Sequence, residues 1–170
     1  MQRVAVVGCG GSGKSTFAQE LSRIIGLPLF HLDEYYWRPG WVEAPPDDFR
    51  VIQSELVAHD RWIIEGNYSN TYDLRFARVD TVIVLSPPRR VCLYRVLKRV
   101  AVNWHRDVQA QGCPEHLDIS FLHWVWRFPY DARPRLDAAF ARYTGRFRVV
   151  ELSSSAATRK YLRGQRADSN

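Results

Sequence analysis

The chain has 170 residues, 46% hydrophobic and 25% charged, which is enough for one domain to bury a core without disulfides or structural metal and too little for two large domains. Lysine and arginine number 24 against 18 aspartate and glutamate, but residues 1–85 hold 8 basic and 11 acidic side chains and residues 86–170 hold 16 and 7, so the second half is the one that suits an anion. Three scattered cysteines (9, 92 and 113) exclude a disulfide framework, no run reaches the roughly 18 apolar residues of a membrane span, and the first strand begins too early for a signal peptide; the expectation is a soluble, cytoplasmic protein with no membrane partner.

Arg3 to Val7 reads RVAVV, a β-branched run that suits a strand buried on both faces of a parallel sheet. Beyond a glycine-rich stretch, Phe17, Leu21, Ile24 and Ile25 recur at helical spacing from Ser15 onward, with Gly26 and Pro28 as a stop. Leu29–Leu32 is a second strand. Residues 33–48, crowded with aromatics, prolines and acids, have no period and read as a loop, with Asp47 capping a helix that carries Phe49, Ile52 and Leu56. Trp62–Glu65 (WIIE) and Asp80–Leu85 (DTVIVL) are strands three and four, and Val91–Val102 is a helix.

Residues 103–119 lose all periodicity and read as a mobile lid. Ser120 is the expected cap of a helix that faces inward through Phe121, Trp124, Val125 and Phe128, and Pro134 opens another. Phe147–Leu152 is a fifth strand and Thr158–Leu162 a short helix. Residues 1–163 thus read as a single domain and 164–170 as a disordered tail. Strands alternating with helices imply a parallel α/β sheet that binds ligands at the carboxyl ends of its strands.

Between the first strand and the first helix lies Gly8-Cys9-Gly10-Gly11-Ser12-Gly13-Lys14-Ser15, a GxxxxGKS phosphate-binding loop. Gly8, Gly10, Gly11, Ser12 and Gly13 let backbone N–H groups converge on phosphate oxygens at a helix N-terminus, Lys14 reaches the outer phosphates, Ser15 offers a hydroxyl to Mg²⁺, and Thr16 is placed for the α-phosphate. A second acid is needed for the metal or its waters. Glu65 and Asp33 both end strands; Glu65 suits the metal, and Asp33 the acceptor hydroxyl.

Arg95 and Arg99 precede the lid, and Arg127, Arg133 and Arg135 follow it. Guanidinium groups brought in by closure would stabilise a transferring phosphoryl group, with Arg95, Arg99 and Arg133 the favoured members. Tyr35, Tyr36, Trp37 and Trp41 suit either a base-stacking surface or a small local core. His105, Cys113, His116 and His123 match no standard zinc spacing.

The segments VVGCGGSGKST (6–16), LPLFHLDEYYWRPGW (27–41), RWIIEGNYSNTYDLRFARVDTVIVL (61–85), LYRVLKR (93–99) and WVWRFPYDARPRL (124–136) together resemble the DNA topology modulation proteins, adenylate-kinase-related P-loop proteins. The resemblance spans residues 2–163. It implies a P-loop NTPase fold: a nucleotide-kinase-like three-layer α/β sandwich with a five-stranded parallel sheet ordered 2-3-1-4-5 and a small lid. It also implies ATP with Mg²⁺. The chain departs from the family at Glu65, where an aspartate is usual, and carries GNYSNT where adenylate kinases have DG-x-PR. The expectation is a kinase that transfers the γ-phosphoryl group of ATP to a small acceptor, nucleotide or nucleoside-like, with a shikimate- or sugar-type acceptor as the variant. A nucleotide-dependent DNA-binding regulator is the rival; nucleic acid is the less favoured partner because no groove-reading module is visible.

Overall fold

A computed structural model describes residues 1–168. In chain order the elements are β1 (Arg3–Gly8), α1 (Lys14–Ile25), β2 (Leu29–His31), α2 (Leu32–Tyr36), β3 (Trp37–Arg38), β4 (Val42–Glu43), α3 (Pro46–Ala58), β5 (Trp62–Glu65), α4 (Tyr72–Phe76), β6 (Thr81–Leu85), α5 (Arg89–Val102), α6 (Ile119–Asp131), α7 (Arg133–Arg142), β7 (Arg148–Leu152) and α8 (Ser155–Asp168). The main sheet is ordered β2-β5-β1-β6-β7 with every neighbouring pair parallel, which is 2-3-1-4-5 counted over its own five strands.

Period-two alternation assigns the side chains of the central strands to two cores. Ala5, Val7, Trp62, Ile64, Val82 and Val84 pack with Phe49 and Leu56 of α3, Phe76 of α4 and Leu136 of α7. Val4, Val6, Ile63, Ile83 and Leu85 pack with Phe17 and Leu21 of α1 and Leu162 of α8. Helices therefore cover both faces, giving three layers. Each fully buried aliphatic side chain contributes about 1.5–3 kcal/mol, and the fully buried Val4–Val7 run makes β1 the axis of the fold.

The register sets up the site. His31 lies opposite Glu65, and Glu65 opposite Val6, so β1, β2 and β5 end level and deliver Gly8, Asp33 and Glu65 to the same edge.

Several local expectations are revised. The unpatterned stretch 33–48 holds the short helix α2 and the antiparallel β3–β4 hairpin. Helix α3 begins at Pro46 with no side-chain cap, so Asp47 lies inside its first turn. Helix α6 is capped by Asp118, whose Oδ1 accepts from the N–H groups of Ser120 and Phe121, and it continues through Pro129. Residues 164–168, expected in the disordered tail, belong to α8, which packs on α1 through Tyr161 and Phe17 and through the Arg166–Glu20 ion pair; residues 169–170 lie outside the described residues. No described helix is long and apolar enough to cross a membrane.

Candidate active site

Residues 8–15 turn from β1 into α1 under helix α6. Gly8 (φ 149°) and Gly11 (φ 74°) occupy backbone conformations that side-chain-bearing residues avoid, and a Cβ on either would lie 2.3 Å from a backbone carbonyl oxygen, that of Leu85 or Cys92. At Gly10 the obstacle is different: a Cβ would stand 2.6 Å from the ring tip of Phe121 on α6. Gly13 starts α1 without a side-chain cap, so the first-turn N–H groups and the helix dipole remain available to an anion. The Ser12 hydroxyl is buried and has no hydrogen-bond partner among the described residues. An orphaned buried hydroxyl beside an uncapped helix N-terminus fits a bound phosphate chain.

Glu65 is the hub beside this loop. Its Oε2 accepts from Ser15 Oγ at 3.2 Å and meets His31 Nδ1 at 3.0 Å, while Oε1 lies 3.8 Å from Lys14 Nζ. Lys14 Nζ also donates to the Cys9 carbonyl at 3.1 Å. Burial by itself would raise Glu65, but the His31 hydrogen bond and the Lys14 charge outweigh it and hold the carboxyl below its ordinary range. His31 is raised, chiefly by its bond to Glu65. Ser15 Oγ and the Glu65 carboxylate are hard oxygen donors within hydrogen-bond reach of each other, the donor set Mg²⁺ prefers.

Asp33, the first acid after β2, faces the same space. Its Oδ1 accepts from the Tyr68 hydroxyl at 2.5 Å. Desolvation, followed by the charge of Glu65, raises the Asp33 carboxyl above the ordinary range, against the lowering effect of Tyr68, Lys14 and Arg99. Burial and the Asp33 charge push the Tyr68 phenol up, so it stays protonated and donating. Tyr68 holds a positive φ of 28°, a conformation disfavoured for a tyrosine.

What fixes that turn is Arg75, a fully buried arginine on α4. Its Nη1 donates to the Gly66 carbonyl at 2.7 Å, and its Nη2 to those of Asn67 at 2.8 Å and Tyr68 at 3.0 Å. Arg75 is a positioning residue not anticipated among the site residues. The available signal was the need for donors to a tight Gly-Asn-Tyr turn ahead of a helix.

The expected arginines separate. Arg95 Nη1 donates to the Ser12 carbonyl of the phosphate loop at 2.9 Å and Nη2 to Ser155 Oγ at 2.9 Å. Arg99 pairs with the buried Glu115 of the 103–119 segment, Nε to Oε1 at 2.9 Å. Both line the cavity. Arg133 does not: it is held by Asp137 at 2.8 Å and by both carboxylate oxygens of Glu151 at 2.7 and 3.2 Å. Arg135 lines the cavity instead, and Arg127 pairs with Asp131 on the surface.

The cavity at this edge has a volume of about 1140 Å³, room for two small ligands side by side. Thr16, Glu65, Tyr36, Trp37 and Trp41 are among the residues that line it. Residues 103–119 roof it and are stitched to the β3–β4 hairpin: Gly40 N–H donates to the Gly112 carbonyl at 2.7 Å, Trp41 Nε1 to that of Pro114 at 2.9 Å, and Cys113 Sγ to that of Arg38 at 3.2 Å.

No protein-family model and no curated protein matches the chain in sequence. Solved structures do match in fold. A shikimate kinase from Acinetobacter baumannii is 16% identical with a TM-score of 0.57 over 99% of this chain and 94% of its own. A gluconokinase from Sinorhizobium meliloti 1021 is 17% identical with a TM-score of 0.58 over 99% and 93%. A putative kinase from Chloroflexus aurantiacus is 16% identical with a TM-score of 0.58 over 98% of both chains. At these identities the likeness is one of fold: this chain shares the parallel α/β fold of those kinases.

Proposed function

We propose that this protein is an ATP-dependent kinase that transfers the terminal phosphoryl group to a hydroxyl of a small molecule. The observation that carries the reading is the meeting, in one cavity, of the phosphate loop with its Lys14, Ser15 and orphaned Ser12 hydroxyl, and a carboxylate of raised basicity, Asp33. The kinase neighbours in fold agree with it.

The loop amides and Lys14 would hold the β- and γ-phosphates, with the aromatic side chains of the cavity left for the acceptor. Ser15 and Glu65 would hold Mg²⁺, which when bound offsets phosphate charge. Asp33, oriented by Tyr68, accepts the proton of the acceptor hydroxyl as that oxygen bonds to the γ-phosphorus; the bond from phosphorus to the bridging oxygen breaks and ADP leaves. Arg95 and Arg99 stand where charge spreads over the moving group. Arg133, committed to Asp137 and Glu151, has no part in this reading, and Arg135 replaces it.

The test is acceptor-dependent ADP formation from ATP and Mg²⁺ across nucleosides, sugars and small hydroxyl metabolites. Product carrying the transferred phosphoryl group is expected. Tight ATP binding with no acceptor-dependent ADP release, together with an ATP-gated duplex DNA complex that survives physiological salt, would replace the kinase reading with the regulator.

A further inference from the structure

The acceptor end of the cavity has a charge and a texture that point to one kind of acceptor. Its wall is a continuous series of rings: Phe49 against Tyr68 (centroids 4.9 Å apart), Tyr68 against Tyr36 (4.6 Å), Tyr36 against Trp37 (4.9 Å), Trp37 against Trp41 (5.4 Å) and Trp41 against His116 of the lid (5.8 Å). All six residues line the cavity. Phe49 also meets Tyr36 at 4.9 Å, so the three inner rings close into a small core. From Tyr36 the series continues outward through Trp37 and Trp41 to His116.

The charged groups on the same side are almost all acids. Of the cavity-lining residues between His31 and Tyr72, only His31 and Arg50 are cationic or can become so, and both are committed. His31 is bound to Glu65. Arg50 grips both carboxylate oxygens of Asp73 and reaches the Asn70 carbonyl at 3.4 Å. Asp33, Glu34, Glu43 and Asp47 also line this side, and among the described residues none of them forms an ion pair, Asp33 being held by the Tyr68 hydroxyl under the charges of Lys14 and Arg99. The other side chains of the cavity that are or can become cationic are Lys14, Arg95, Arg99 and Arg135, which rise from α1, α5 and α7, and His116, the last ring of the wall, whose Nδ1 lies 3.3 Å from the Pro114 carbonyl.

A carboxylate or phosphate on the acceptor would therefore meet four acids that form no ion pair among the described residues, with His31 and Arg50 engaged and His116 at the far end of the wall. An ammonium group would meet four acids and the faces of electron-rich rings, the two features that together hold organic cations. Resting on the kinase reading above, we propose that the acceptor is a hydroxyl compound carrying a protonated amine, which seats against the Tyr36–Trp37–Trp41 wall while its hydroxyl faces Asp33. This separates it from the nucleotide acceptor expected from the sequence and from acidic acceptors in general; unpaired carboxylates at the rim act as the element that rejects them.

Glucosamine, glucose and gluconate share a six-carbon polyol frame and differ in charge, and so serve as probes. Each is titrated calorimetrically into the full chain held with a non-hydrolysable ATP analogue and Mg²⁺, and each is offered with ATP in an ADP-release assay. The amine is expected to bind at least about tenfold tighter than the acid, since two or three rim carboxylates contribute up to about fivefold each. The variant Glu43→Gln/Asp47→Asn, both sites being exposed, should erase most of that preference while Tm stays near that of the parent. Equal affinity for all three, no binding by any, a preference for the acid, or a preference unmoved in the variant would each overturn the proposal. Phosphorylation of the acid alone would overturn it and leave the kinase reading standing, whereas failure of the kinase reading shows separately, as absent ADP release with every acceptor.

Discussion

Replacing Arg75 with methionine removes the clamp on the turn that carries Tyr68, and its effect can be sized from the contacts. Three charge-assisted hydrogen bonds, at 2.7, 2.8 and 3.0 Å, disappear, worth about 1.5–3 kcal/mol each. Against this stand the several kcal/mol recovered by no longer desolvating a guanidinium and about 1–3 kcal/mol released as Tyr68 leaves its positive φ. The Gly66 carbonyl, bonded in a buried setting, is left without a donor. The net expectation is a loss of about 3 kcal/mol, the lower end of what removing one partner of a buried charged network costs. In a domain of this size that is a fall in Tm of about 6–12 °C. Circular dichroism during thermal unfolding reads the first effect. The second is kinetic: with the turn relaxed, Tyr68 no longer holds Asp33, so kcat falls to about the extent it does in Tyr68→Phe. A Tm within 2 °C of the parent, or an unchanged kcat, would refute the assignment of Arg75 as the positioning residue.

Lys14→Ala should remain folded and lose phosphoryl transfer by at least ~10²-fold, the usual value of one oriented donor to a developing charge; a rate within threefold of the parent would contradict the kinase reading. His31 is raised above its ordinary value of 6.5 by Glu65, so this pair contributes stability in full below about pH 6.5 and loses it as pH rises through the folded pKa of His31. The Tm of the parent should decline across that window relative to His31→Gln, and parallel profiles would exclude the pairing. Residues 103–119 should become more protected from hydrogen exchange when ATP and Mg²⁺ bind, and Trp41→Phe, which deletes the bond to Pro114, should speed exchange at 112–116; strong and equal protection throughout would remove the lid. Duplex DNA should bind weakly, without sequence preference, and be released by about physiological salt. Persistence of that complex at physiological salt, dependent on Arg95 and Arg99, is the contrary result.

The sheet was legible because its central strands are buried on both faces. RVAVV, WIIE and TVIVL stand out as apolar runs, and the phosphate loop fixes which strand is first. The β3–β4 hairpin was not legible, since two-residue strands fall below any period; bonds to residues 112–114, remote in sequence, hold it. The choice between Arg133 and Arg135 was equally out of reach: two positions apart on a helix they point about 200° from each other, so only one could face the cavity, and Glu151 on β7 decides which. Arg75 escaped because a fully buried arginine is rare and its partners are carbonyls, which every residue has. Residues 164–168 were lost to a misleading Gly164, which α8 absorbs through its packing on α1.

The passage of α6 over the phosphate loop makes one motif glycine answerable to a residue more than a hundred positions away. Gly8 and Gly11 are confined by backbone carbonyls, and no second substitution can clear that space. Gly10 is confined by the Phe121 ring tip at 2.6 Å and by Val125 Cγ2 at 3.2 Å, which are side chains and can be exchanged. Position 10 therefore belongs to a compensating pair: alanine there is harmful beside phenylalanine and tolerable beside a shorter residue at 121. Two homologous chains should be able to trade this loop safely only when they trade the start of α6 with it.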